Sequence, residues 1–455
     1  MRFRLAWGSI GVLYLLLPAA WGEEAQATGE EQDRIARLVA QLGAEDFAAR
    51  EAAELALLKV RGKAKPALEA ASRHLDPEVR LRATRLAGRV EDAEFNAQWL
   101  ANIQGAWPEG LKEGKLVGPL LGAADPSNPP PPLEETEERV PPEEGRDPVL
   151  EWLSQRQDPS GRWDSRGHGA QVNADLEQTA LAVLAFLGAG HTQKVGKYKQ
   201  RVRAGVDWLI RQQNPQGGFL RAEGTQVDGV AHALAGLALA EASGMGRVPE
   251  TKAAAQLALY YAAGQHQSLK EDKPYGFGRT ARSEHPDLFT TTLFVMQFKS
   301  AKVAGLAVKP ESFQGMLDFL DAVDRTTEHQ FSFVPSGKPS AQATFFGCLA
   351  RQFLGWKKED LAPYVEQARK TLPTPQVVSP ESDLMTNWMG TLACFQQGGD
   401  TWKEWNEGLK KETIDNLLNG RATPHGLWSG AGRVFATSLN RICLEFCRYS
   451  PPYKE

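Results

Sequence analysis

From residue 148 onward, two kinds of apolar pattern alternate along the chain. One kind carries Lys and Arg on one side, over 150–157, 199–213, 250–263, 311–323, 361–372 and 402–418. The other is apolar nearly all round, over 176–187, 230–242, 288–303, 341–354, 384–395 and 434–446. An amphipathic helix keeps one face in water, whereas a helix apolar on every side has to be enclosed. The alternation therefore predicts an all-α fold for 148–455: six helical hairpins closed into an (α/α)6 toroid, with an outer ring around an inner one.

Upstream, 31–90 is rich in Ala, Leu and Arg with helical spacing, and two stretches within it are alike. Ala44-Glu45-Asp46-Phe47 leads to Arg50 and Leu57-Leu58, and Asp76-Pro77-Glu78-Val79 leads to Arg80 and Leu86-Ala87. Each has an Asp near a helix start and an Arg in the first turn. The pair resembles HEAT-type helical repeats, which implies a packing or protein-contact module, because solenoid units bury their faces against neighbours. A generic helical hairpin is the plainer alternative. Over 104–147 the periodicity fades into Pro129-Pro130-Pro131-Pro132 and runs of glutamate, a composition that cannot bury enough apolar surface to fold and reads as a linker.

At the start, Arg2 and Arg4 precede an apolar run from Leu5 to Leu17, and Ala20-Trp21-Gly22 offers small residues where a signal peptidase reads. The run falls short of the roughly 20 residues of a bilayer span. Residues 1–22 are thus expected to be a cleaved signal peptide and the protein to be exported, to the periplasm or the exterior. A net charge of −4 provides no basic footprint, so no nucleic-acid partner is expected. The 4 cysteines, Cys348, Cys394, Cys443 and Cys447, are too sparse to staple the chain. Cys443 and Cys447 share a helix face without a third ligand at matching spacing, and buried small side chains are the better account.

One segment occurs twice. Trp152-Leu153-Ser154-Gln155-Arg156-Gln157 runs into Gly161-Arg162-Trp163, and Trp208-Leu209-Ile210-Arg211-Gln212-Gln213 runs into Gly217-Gly218-Phe219. Weaker copies include Tyr260-Tyr261 with Tyr275-Gly276-Phe277-Gly278, Phe331-Ser332-Phe333, and Leu417-Leu418 with Pro424 to Trp428. These segments resemble the QW motif of the squalene cyclase and protein prenyltransferase repeat family over about two thirds of the chain. The motif is structural: glutamine satisfies backbone groups at helix ends, glycine frees the turn, and the ring seals the junction.

The catalytic motifs of that family are missing. No two aspartates are adjacent, so neither Asp-x-Asp-Asp nor Asp-Asp-x-x-Asp is present, and no Asp-x-Cys provides a prenyltransferase-like zinc site. No cofactor or metal is expected. Asp175, Asp228, Asp287 and Asp383 stand at inner-helix starts, with His232 and His285 nearby. They are read as helix caps, each contributing about 1 kcal/mol, or as carboxylates converging at one mouth of the toroid. Phe289, Phe294, Phe345, Phe346, Trp388 and Phe395 are read chiefly as core filling. The expected function is binding or scaffolding, with an apolar ligand in the cavity or a protein partner. The alternatives are a cyclase-like isomerase acting on an isoprenoid and a carbohydrate-active toroid.

Overall fold

A computed structural model describes residues 29–44, 46–84, 86–87, 90, 147–221, 224–225, 227–280, 283–375, 381–418 and 432–446, leaving out the side chains of 47, 51, 61–62, 148, 381–383 and 412–418. The expected signal peptide, nearly all of the linker, Cys447 and the copy at 424–428 lie outside the described residues. The chain divides into two compact units, Met1–Phe95 and Asn96–Glu455.

In the first unit α1 (Gly29–Gln41), α2 (Phe47–Val60), α3 (Lys65–Ala71) and α4 (77–84) pack around Ile35, Leu42, Leu57, Leu68, Val79 and Ala83. The two similar stretches make the same local contacts. Asp46 accepts from Ala48 N and Ala49 N, and Asp76 from Glu78 N, so each aspartate satisfies first-turn donors. Arg50 reaches back to the Ala44 carbonyl and Arg80 to the His74 carbonyl, the same six-residue return. Arg82 pairs with Glu54 across the buried interior and with Glu78 on its own helix.

In the second unit the inner helices are α6 (Asp175–Gly188), α8 (Gly229–Gly246), α10 (Leu288–Val303), α12 (Ala341–Phe353), α14 (Glu381–Gln397) and α16 (Arg433–Phe446). Each packs on the next, and α16 packs back on α6, so the ring closes. The outer helices are α5 (Pro148–Gln155), α7 (Lys199–Arg211), α9 (Pro249–Tyr261), α11 (Pro310–Val323), α13 (Lys358–Thr371) and α15 (Gly399–Leu418). The fold is an all-α toroid of six hairpins. Arg441 on α16 pairs at 2.9 Å with Asp147, which also caps α5 through Val149 N and Leu150 N, and with Glu445. This buried triad joins the last hairpin to the first.

Burial follows the two patterns. On α7 only Val202, Gly205, Val206, Trp208 and Leu209 are buried, one stripe facing the inner ring. On α6 every residue from Leu176 to Leu187 except Glu177 is buried, and α8 is buried without a break from Ala231 to Ser243. An open channel along the axis would leave one face of each inner helix exposed. Burial on all sides means that side chains fill the lumen below its mouth.

The repeated motif builds the junctions between hairpins. Gln157 pairs with Trp163 and Gln213 with Phe219 as short β-bridges. The Gln157 amide donates to the Gly161 carbonyl at 2.8 Å and to the Arg201 carbonyl on the next outer helix at 2.9 Å. Gln213 does the same to Gly217 and Ala254. The amide therefore ties its own turn to the body of the following helix, beyond the helix ends where it was expected. Gly161 and Gly217 have φ of 98° and 92°, and a Cβ on either would overlap a backbone carbonyl of that helix. The rings of Trp163, Phe219, Phe277 and Phe331 are all fully buried.

The third and fourth junctions keep the geometry under changed sequence. A π-helical turn (Ala262–His266) and a hairpin, β1 (Gln267–Lys270) with β2 (Lys273–Phe277), intervene at the third. There Gln267 faces Phe277 and donates to the Ser312 carbonyl on α11, so it is the motif glutamine hidden by an insertion. At the fourth, β3 (Asp324–Arg325), β4 (Gln330–Ser332) and β5 (Pro339–Ser340) form a small sheet in which Asp324, not glutamine, faces Phe331.

Candidate functional site at the toroid mouth

All inner helices run in one direction, so their first turns share one end of the toroid. Long loops at that end hold one another around the ring. Arg221 donates to the Asn173 carbonyl, Gly229 N to the Arg279 carbonyl, Leu288 N to the Phe333 carbonyl and Arg433 N to the His168 carbonyl. Counting two residues on from Asp175, Asp228, Asp287, Ser340 and Arg433 gives Glu177, Val230, Phe289, Gln342 and Phe435, all half-buried, while the same count from Asp383 gives Met385, which is buried. On the helices that carry them, the residues just beyond are buried. Among the described residues the mouth thus presents polar and aromatic side chains above buried helix turns.

Counting four residues on gives Thr179, His232, Thr291, Thr344, Asn387 and Thr437, with Asp383 as the fifth start, and all six are buried. This position faces the junctions. The hydroxyls of Thr179, Thr291 and Thr344 accept the backbone N–H of Trp163, Phe277 and Phe331 at 2.9–3.0 Å. Period-four geometry thus sends alternate polar residues to opposite sides of the inner ring.

The residues expected at the mouth divide accordingly. Asp175 is the first residue of α6, not its cap, and it is committed: its carboxylate accepts from Ser165 N and Ser165 Oγ and pairs with Arg162 at 2.7 Å. Asp228 caps α8 through Ala231 N, and Asp287 caps α10 through Thr290 N and the Thr290 hydroxyl. Both remain half-buried at the mouth. The Asp383 side chain lies outside the described residues. His285 is exposed in the loop before α10.

His232 departs from the expected placement. It occupies the junction-facing position, is 0% exposed, and its Nε2 lies 3.0 Å from the Ala258 carbonyl on α9. Its ring packs among Phe219, Tyr261, His266 and Phe294. Burial lowers it to about pH 3 and His266 to about pH 4, so both are neutral inside the wall.

Sequence reasoning overlooked Glu177 and Arg221. Glu177 pairs with Arg221 at 3.1 Å through Oε1, while its Oε2 makes no hydrogen bond among the described residues. Burial raises its pKa, Arg221 pulls the other way, and the charge of Asp228 adds to the rise. Asp287 is likewise raised by burial, with Arg279 opposing. The signal was present in the sequence: Glu177 is the one charge within the nearly all-apolar stretch 176–187. Phe289 was read as core, but it sits half-buried at the mouth with the Arg279 guanidinium 5.6 Å from its ring. Phe294, Phe345, Phe346, Trp388 and Phe395 fill the core.

Among the described residues no three His, Cys, Asp or Glu side chains are grouped to hold a metal. Cys348, Cys394 and Cys443 are buried thiols.

No family model and no curated protein matches the chain. Among solved structures, it is similar to an inactive variant of an alpha-1,6-mannanase of Salegentibacter in complex with alpha-1,6-mannotriose, at 9% identity and a TM-score of 0.46, covering 66% of this chain and 98% of that one. An alpha-amylase from Clostridium perfringens matches at 12% identity and a TM-score of 0.45, over 66% and 96% of the two chains. A type II terpene cyclase from Scytonema matches at 14% identity and a TM-score of 0.39, over 66% and 96%. The toroid assigned above rests on the closed ring of helix contacts in this chain.

Proposed function

We propose that the protein is a binding protein whose toroid mouth takes a polar, polyhydroxylated ligand of the oligosaccharide class. The carrying observation is the set of half-buried residues on five of the six inner helices, above helix turns that are buried on all sides among the described residues. A prenyl substrate needs a deep apolar chamber, whereas among the described residues the inner helices are buried on every side. A sugar needs a shallow surface with an aromatic face and hydrogen-bonding groups. Phe289 and Phe435 offer the face, and Glu177, Arg221, Asp228 and Gln342 offer donors and acceptors. We further place the protein outside the cytoplasm, on the basis of residues 1–22. Among the described residues no helix is long and apolar enough to cross a membrane.

Saturation-transfer NMR with neutral gluco-, manno- and xylo-oligosaccharides tests the reading. Transfer to the wild type, reduced at least tenfold in Glu177→Ala and Phe289→Ala, supports it. Binding of farnesol or squalene with no response to sugars sinks it.

A second reading, glycoside hydrolysis, is favoured by the Glu177 carboxyl, whose pKa burial raises and whose Oε2 makes no hydrogen bond among the described residues, at the same mouth as Asp228. Glycosidases work with two carboxyl groups flanking the scissile bond, one protonating the leaving group and the other acting on the opposite face, and Glu177 and Asp228 are two carboxyl groups at the same mouth. Release of reducing ends by the wild type and its loss in Glu177→Gln would establish it, while absence of release with binding retained leaves the protein a binder.

A further inference from the structure

The four junctions described above share one design except at a single place. At the first three, a glutamine amide faces the buried ring and donates to a carbonyl of the next outer helix. At the fourth, Asp324 stands in the glutamine position. A carboxylate only accepts, so the bond reverses: the Tyr364 hydroxyl on α13 donates to Asp324 Oδ1 at 2.9 Å. Arg351, 2% exposed on α12, reaches Asp324 at 3.7 Å and lies 4.0 Å from the centre of the Trp356 ring.

This altered junction is open. A pocket of about 550 Å³ is lined by Asp324, His329, Trp356, Lys357, Asp360 and Tyr364. His329 has a φ of 51°, a left-handed conformation rare for a residue with a side chain, and it turns its ring edge-on to Tyr364 at 5.3 Å.

We propose that this pocket is a second saccharide-binding site, separate from the mouth. Its chemistry selects by elimination. Asp324 and Asp360 at the wall oppose an anion, Lys357 opposes a cation, and the charged wall opposes a purely apolar guest. A neutral ligand with apolar faces and many hydroxyls meets both conditions at once. Trp356 supplies a flat face stiffened from behind by the Arg351 guanidinium, Asp360 accepts, and Lys357 donates. The volume has room for two or three sugar rings at roughly 150–200 Å³ each, within the usual range for small-ligand clefts. The choice of ligand class rests on the reading of the mouth, but the pocket itself does not.

The test is saturation-transfer NMR and calorimetry on the full chain with the same neutral oligosaccharides. It compares the wild type with Trp356→Ala, Asp360→Ala and Glu177→Ala. Trp356→Ala is expected to abolish one of two binding events, or weaken it at least tenfold, and Asp360→Ala to weaken it several-fold while leaving the thermal midpoint unchanged. Asp360 is exposed, so this variant keeps the test valid if Trp356→Ala fails to fold. Binding that survives Glu177→Ala but not the pocket variants sustains the pocket and sinks the mouth. Loss with Glu177→Ala alone, or no response to any sugar, overturns the pocket proposal.

Discussion

Glycine and histidine show how single residues divide between what the sequence announces and what only packing assigns. Gly217 and Gly169 both have positive φ, but only Gly217 lies against backbone, where a Cβ would overlap the Leu257 carbonyl, while Gly169 has open space. Gly169→Ala should cost about 1 kcal/mol from conformation alone, and Gly217→Ala more than about 2 kcal/mol because the helix must also move. Urea unfolding of the two variants checks this, and equal losses would contradict the close-approach argument. The role of Gly217 was legible because the repeat placed it. That of His232 was not, since its position in the helix matches Thr179, Thr291 and Thr344 only once the junctions are seen.

At the level of elements, the third junction carries a pH-sensitive seam. His232 on α8 and His266 on the π-helical turn pack ring against ring at 4.7 Å, and both His266 nitrogens are buried without a partner among the described residues. The folded pKa of His266, about 4, lies below the unfolded value near 6.5. The unfolded chain therefore takes up the proton first, and the stability present above about pH 6.5 is lost as pH falls toward 4. Glu177 and Asp287, raised by burial, act in the opposite sense in the carboxylate range. His266→Phe fills the same space without polar atoms, so it should flatten the decline between pH 6.5 and 4 and leave stability at pH 7 equal or higher. Denaturant titrations across that range decide it; an unchanged slope would clear His266 of the effect. The seam arises from an insertion, and the same insertion sets Gln267 farther along the chain from its ring than Gln157 or Gln213 stand from theirs, which hides the motif in the sequence.

For the whole molecule, closure of the ring depends on contacts between the two ends of the toroid. Arg441 is buried between Asp147 and Glu445, and removing it strands carboxylates in a dry interface. Arg441→Met is expected to destabilise the protein by about 3–5 kcal/mol, and adding Glu445→Leu should restore part of the loss. Differential calorimetry of the single and double variants measures both; a loss under about 1 kcal/mol would mean that the hydrophobic contact of α16 with α6 closes the ring unaided. By itself the sequence determined the alternation of half-apolar and all-apolar helices, the six hairpins and the first two junctions. These are local, because helical periodicity and turn chemistry are set by residues a few positions apart. The tertiary structure alone shows that the inner helices are buried on all sides among the described residues, that Glu177 pairs with Arg221 at the mouth, that Asp324 meets Tyr364 beside a pocket at the fourth junction, and that Arg441 meets Asp147. Each depends on groups brought together from distant parts of the chain, where packing and burial, not spacing, select the partners.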